Sequence, residues 1–117
     1  MSAARRQSLL WLAQRASAAV LALCVVVHLA TMIVAVRGGL TAAEILGRTR
    51  GSPTWALFYG VFVVAVAIHA PIGLRTVIAE TRGFHGRGID VAMLAFAVAL
   101  LALGLRAVAA VTMGAPE

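Results

Sequence analysis

The sequence has no lysine: all ten basic residues among its 117 are arginine. Acid is scarcer still, limited to Glu44, Glu80, Asp90 and Glu117, and charged residues make up 12% of the chain against 62% hydrophobic. So little polar surface cannot cover a water-soluble domain of this length, and that class is excluded. Cysteine occurs once. Cys24 has no partner in the chain, so there is no intrachain disulfide and no statement about redox compartment. Arginine in place of lysine, with abundant alanine, valine and glycine, is the composition of a GC-rich bacterial genome. The net charge of +6 does not point to nucleic acid, because the arginines stand at the ends of apolar runs, where membrane topology accounts for them.

What the chain does have is apolar length. Ala16–Val36 and Trp55–Leu74 carry no charged residue, and each matches the ~20 residues that a helix needs to cross ~30 Å of hydrocarbon. Val91–Leu105 is shorter but reaches spanning length if Arg106 snorkels and the helix runs on to Thr112. An all-α membrane protein with three transmembrane helices is expected, as one unit over 1–117: helix I about 10–36, helix II about 53–80 and helix III about 90–112. The first run is too long for a secretory signal and lacks a small-residue cleavage site, so it is expected to persist in the mature protein.

The loops are readable too. Thr41 with Glu44 fits a capping box, which predicts a short interfacial helix over about 42–48. Ser52 caps the second span with Pro53 at its first position, and Asp90 is expected to cap the third. Trp55 and Tyr59 fall where amphipathic aromatics collect at a membrane interface. The amino-terminal side holds Arg5, Arg6, Arg15, Arg75, Arg82 and Arg87, and the other side holds Arg37, Arg48, Arg50 and Arg106. That asymmetry predicts a cytoplasmic amino terminus. A multi-pass protein of a bacterial inner membrane, surrounded by lipid and with no nucleic-acid partner, is the expectation.

An ionisable residue inside a span is costly and marks a candidate site. No Asp, Glu or Lys lies within a span, which leaves His28 and His69. An isolated intramembrane imidazole suits an axial bond to haem iron. Ala65, His69 and Gly73 repeat every four residues on one helix face, and small neighbours would admit a flat macrocycle. Pro71 deprives the Ala67 carbonyl of its helical donor. Arg75, about 9 Å along the axis from His69, is placed to pair with propionates at the membrane edge. The other reading is a histidine hydrogen-bonded to a neighbouring helix, with small residues allowing close packing. Ser17, Cys24, His28 and Thr31 form a polar stripe on helix I that should face protein. Counted from Arg15 and Arg75, the two histidines differ in depth by roughly 10 Å, so they should not share one iron. His85, in a glycine-rich loop, is expected to be solvated.

"HAPIGLR" at 69–75 resembles the H-x-x-x-G-[IL]-R signature of the cytochrome b membrane-anchor subunits of succinate dehydrogenase and fumarate reductase. "QRASA" at 14–18 resembles the family's H-R-x-[ST]-G element. The resemblance implies a haem b anchor whose axial iron ligand is His69, with His28 matching the first-helix ligand of di-haem members. It implies that Arg15 borders the propionates and that Arg15, Ser17 and position 11, here Trp11, border quinone. The chain departs from the pattern at Gln14, Ala18 and Thr76, and at Trp11, where the family often has serine. The implied partners are a flavoprotein, an iron–sulfur subunit and a second small membrane subunit that completes bis-histidine ligation. The chain itself carries no flavin fingerprint and no cysteine cluster. It would be a non-catalytic part of an oxidoreductase. Rival expectations are a haem-free structural or assembly subunit, or the cytochrome b subunit of another quinone-linked enzyme such as a hydrogenase.

Overall fold

The computed structural model describes residues 1–114. It contains four helices: α1 (Ala3–Arg37), α2 (Ala42–Thr49), α3 (Pro53–Arg82) and α4 (Arg87–Thr112). Three of these, α1, α3 and α4, are long and apolar enough to cross a membrane. The 35 residues of α1 account for the long dimension of the molecule, 51 Å in a body 25 Å wide.

Helix boundaries follow local chemistry. Ser2 accepts the Arg5 N–H at 3.2 Å and starts α1 about two turns before the expected start near residue 10. The intervening "AARRQSLL" consists largely of good helix formers, so nothing stops the helix where the lipid stops. The capping box at Thr41 and Glu44 is present in both directions, at 2.7 and 3.2 Å. Ser52 accepts the Trp55 N–H ahead of Pro53, and Gly83 ends α3 in the left-handed conformation at φ 68°. Asp90 is not the cap of the last span. Gly86, at φ 110°, breaks the chain four residues before Asp90, and α4 begins at Arg87 with Asp90 in its first turn.

Helix α3 is central, with α1 packed on one side and α4 on the other. Contact is made by small residues. Gly104 of α4 has no room for a Cβ, which would run into the Val63 side chain. Close approach of this kind is what holds helices together where lipid is as apolar as leucine. The interior is correspondingly thin. Cys24, Ala65, Ala67 and Pro71 are buried, whereas Leu23, Val26, Leu94 and Leu103 are each about two-thirds exposed. Those outward faces are suited to lipid or to further helices.

At the far end α2 is tied to α4. Thr49 donates through its hydroxyl to the Val111 carbonyl at 2.7 Å, and the Gly51 N–H donates to the Thr112 carbonyl at 2.8 Å. The last carbonyls of a helix have no partner within it, and these two bonds satisfy a pair that lipid could not.

Candidate functional site

The two intramembrane histidines sit on different helices and at different levels. His69 of α3 meets Ser17 of α1, with 3.4 Å between its Nδ1 and the hydroxyl. His28 of α1 meets Tyr59 of α3, with 3.2 Å between Nδ1 and the phenol oxygen. Ser17 and His28 are eleven residues apart on α1, and Tyr59 and His69 are ten apart on α3, so both helices give a separation of about 15 Å. This exceeds the spacing expected from the arginines, and it keeps the two rings off any one metal atom.

The hydrogen count at His69 is informative. Ser17 is buried, and its hydroxyl donates to the Gln14 carbonyl at 3.0 Å. A serine hydroxyl has a single hydrogen. When that hydrogen is given to Gln14, Ser17 accepts from the ring, and in that tautomer Nδ1 carries the proton and Nε2 the free lone pair. A second partner that fixes the tautomer is the usual companion of a metal-binding histidine.

Gly73, one turn beyond His69, differs from expectation. The space it leaves is taken by Gln14: a Cβ at Gly73 would stand 3.0 Å from the Gln14 Nε2. The small face of α3 therefore receives α1 rather than lying open. Gln14 Oε1 is buried there without a hydrogen-bond partner. A buried acceptor left unpaired is costly, so a donor brought by a ligand or partner would be stabilised at this point. Ala65 and Ile68, the turn leading into His69, wall an apolar groove of about 580 Å³ together with Ala16, Ser17 and Gly60. That volume is within the ~300–1,000 Å³ of small-molecule sites.

These features fit a haem bound through His69: an Nε2 left free when Nδ1 donates to Ser17, and small residues beside the ligand turn. Among the described residues no three His, Cys, Asp or Glu side chains converge. Haem needs only axial protein ligands, so this donor set suits it.

The remaining sequence-predicted residues divide between faces. Arg15 stacks on Trp11, 5.0 Å from the ring centroid, and both are exposed. Ser17, about 200° further round the helix at ~100° per residue, faces α3 instead. Trp11 and Arg15 thus form one outward pair, and Ser17 belongs to His69. Arg75 is held by Asp90, with Nε donating to Oδ1 at 2.7 Å, while Arg6 approaches Oδ2 at 3.3 Å. His85 is exposed. Residue reading missed two partners. Tyr59, an aromatic of interfacial type, engages His28, and Asp90 engages Arg75. Each bond joins different helices, so local spacing carried no signal of it.

His28 lines a second apolar cavity of about 650 Å³ together with Tyr59, Phe62, Gly104 and Val108, next to Leu46 and Thr49 of α2. Tyr59 and Phe62 present themselves edge-on to the His28 ring, at 5.7 and 5.8 Å. Cys24 is buried on the same stripe, as expected of a face turned toward protein.

A family model described as "Succinate dehydrogenase/Fumarate reductase transmembrane subunit" matches residues 1–110. Neither the curated proteins nor the solved structures contain a match.

Proposed function

The chain belongs to the succinate dehydrogenase/fumarate reductase transmembrane-subunit family, and on that premise we propose that it is the haem b-carrying anchor of such a complex. The family places it as a membrane-embedded subunit that works with partner subunits. The observation that carries the haem assignment is the Ser17–His69 contact: when Ser17 gives its hydrogen to Gln14 it accepts from Nδ1, which keeps the Nε2 lone pair for a metal.

In this reading His69 would be this chain's ligand to the iron, and a histidine of a second small membrane subunit would complete the pair. Ser17 keeps the ring in its tautomer. Arg75 and Arg15 offer positive charge to propionates at the cytoplasmic edge. When bound, haem supplies one-electron redox chemistry between an iron–sulfur partner and quinone. The exposed Trp11–Arg15 pair is the proposed contact for quinone, with a flat ring for stacking and a guanidinium for the oxygens. His28 is the candidate ligand of a second haem. A flavoprotein and an iron–sulfur subunit would dock on the cytoplasmic side of a bacterial inner membrane, where arginine predominates.

A second reading rests on a specific observation: both histidines already have a side-chain partner on a neighbouring helix, as purely structural histidines would. A reduced-minus-oxidised spectrum of the purified complex separates the two. Soret and α bands of b-type haem, lost in His69→Ala, are expected. Their absence from the wild-type complex would leave the structural reading.

A further inference from the structure

Three long helices meet at one carboxylate. Asp90, in the first turn of α4, accepts from Arg75 of α3 through Oδ1 at 2.7 Å and from Arg6 of α1 through Oδ2 at 3.3 Å. The three side chains differ in exposure: Arg6 is 54% exposed, Arg75 34% and Asp90 32%. The Arg75 contact is the shorter and the less exposed, and so the better defined. It is made by Nε, the nitrogen nearest the chain, and among the described residues the two terminal nitrogens of the guanidinium have no hydrogen-bond partner. Arg6 occupies the other oxygen, at the longer distance and with the more exposed side chain.

We propose that Asp90 is a positioning residue for Arg75: it fixes the guanidinium through Nε so that the terminal nitrogens are presented to the haem propionates. This rests on the haem reading above. The alternative roles of such a carboxylate are to neutralise Arg75 or merely to tie helices together, and each gives a different result. Bringing an electron to iron is favoured by nearby positive charge. Arg75→Gln therefore shifts the haem midpoint potential downward. If Asp90 positions Arg75, Asp90→Ala lets the guanidinium swing away and also shifts the potential downward. If Asp90 only neutralised Arg75, its removal would unmask a positive charge and shift the potential upward.

The test is redox titration of haem in membranes that carry the whole complex, for Asp90→Ala, Asp90→Asn, Arg75→Gln, Arg6→Gln and the Asp90→Ala/Arg75→Gln double variant. A downward shift is expected for Asp90→Ala, up to about tenfold in the ferric-to-ferrous ratio, or ~59 mV for one electron. The double variant should match Arg75→Gln alone, because the two residues act as one. Asp90→Asn keeps an oxygen for the Arg75 Nε–H and should stay nearer wild type, which also guards against a fold defect in the alanine variant. An upward shift, no shift, or an equal shift in Arg6→Gln would overturn the proposal while leaving the haem reading intact. Absence of b-type haem from the wild-type complex would overturn the haem reading, and this proposal with it.

Discussion

Ser17 of α1 stands 3.4 Å from His69 of α3 with its one hydrogen already given to the Gln14 carbonyl. The contact does two things. It registers two antiparallel helices within the membrane, and it favours the tautomer that leaves Nε2 of His69 free. Ser17→Ala removes the acceptor and leaves the ring free to rotate or change tautomer. Loss of such a partner costs roughly 10–100-fold in metal affinity. Haem per complex, titrated against added haem, should show that loss in Ser17→Ala and near-recovery in Ser17→Thr. Undiminished affinity in Ser17→Ala would separate the serine from the ligand.

The two histidines should behave as independent sites. They lie about 15 Å apart along the helix axes, each with its own partner. His69→Ala is expected to abolish the b-type bands that depend on it. His28→Ala is expected to leave those bands and their midpoint potential unchanged, and to remove at most a second haem. A simultaneous loss of all haem in His28→Ala, in a complex that still assembles, would place both rings at one site.

The spans were legible in the sequence because lipid imposes one simple demand, some twenty residues without charge, and arginines mark where the demand ends. The caps at Thr41, Glu44 and Ser52 were legible because each is complete within four residues. What could not be read depends on neighbours distant in sequence. Asp90 has the composition of a helix cap, yet its partners are Arg75, 15 residues away, and Arg6, 84 residues away. Gly73 had the look of space left for a ligand, yet that space is filled by Gln14. Small residues in a membrane helix say that something comes close without saying what.

That distinction gives a prediction about packing. A Cβ at Gly104 would run into Val63, a β-branched side chain with little freedom, whereas a Cβ at Gly73 meets only the movable end of Gln14. Gly104→Ala should therefore destabilise the bundle by about 1–3 kcal/mol, the usual cost of overpacking. Gly73→Ala should cost less, since the amide can shift by a few tenths of an ångström. Thermal unfolding of the two variants in the same detergent ranks them. The reverse order would mean that Gln14 is held more firmly than Val63.

The tie between α2 and α4 is open to a similar test. Thr49 is buried, and its hydroxyl donates to the Val111 carbonyl, one of the last four acceptors of α4. Thr49→Val keeps the shape and removes the donor, leaving that carbonyl without a side-chain partner in a setting with little water. The expected cost is about 1–3 kcal/mol, the desolvation penalty of an unmatched buried group. It should be local. Amide exchange ought to quicken over the last turn of α4 and over α2, while the Ser17–His69 end keeps its protection. The Gly51 N–H bond to Thr112 remains in this variant, so fraying should loosen the end of α4 without releasing the loop. Uniform acceleration across all three long helices would instead make this clamp a condition for the whole bundle.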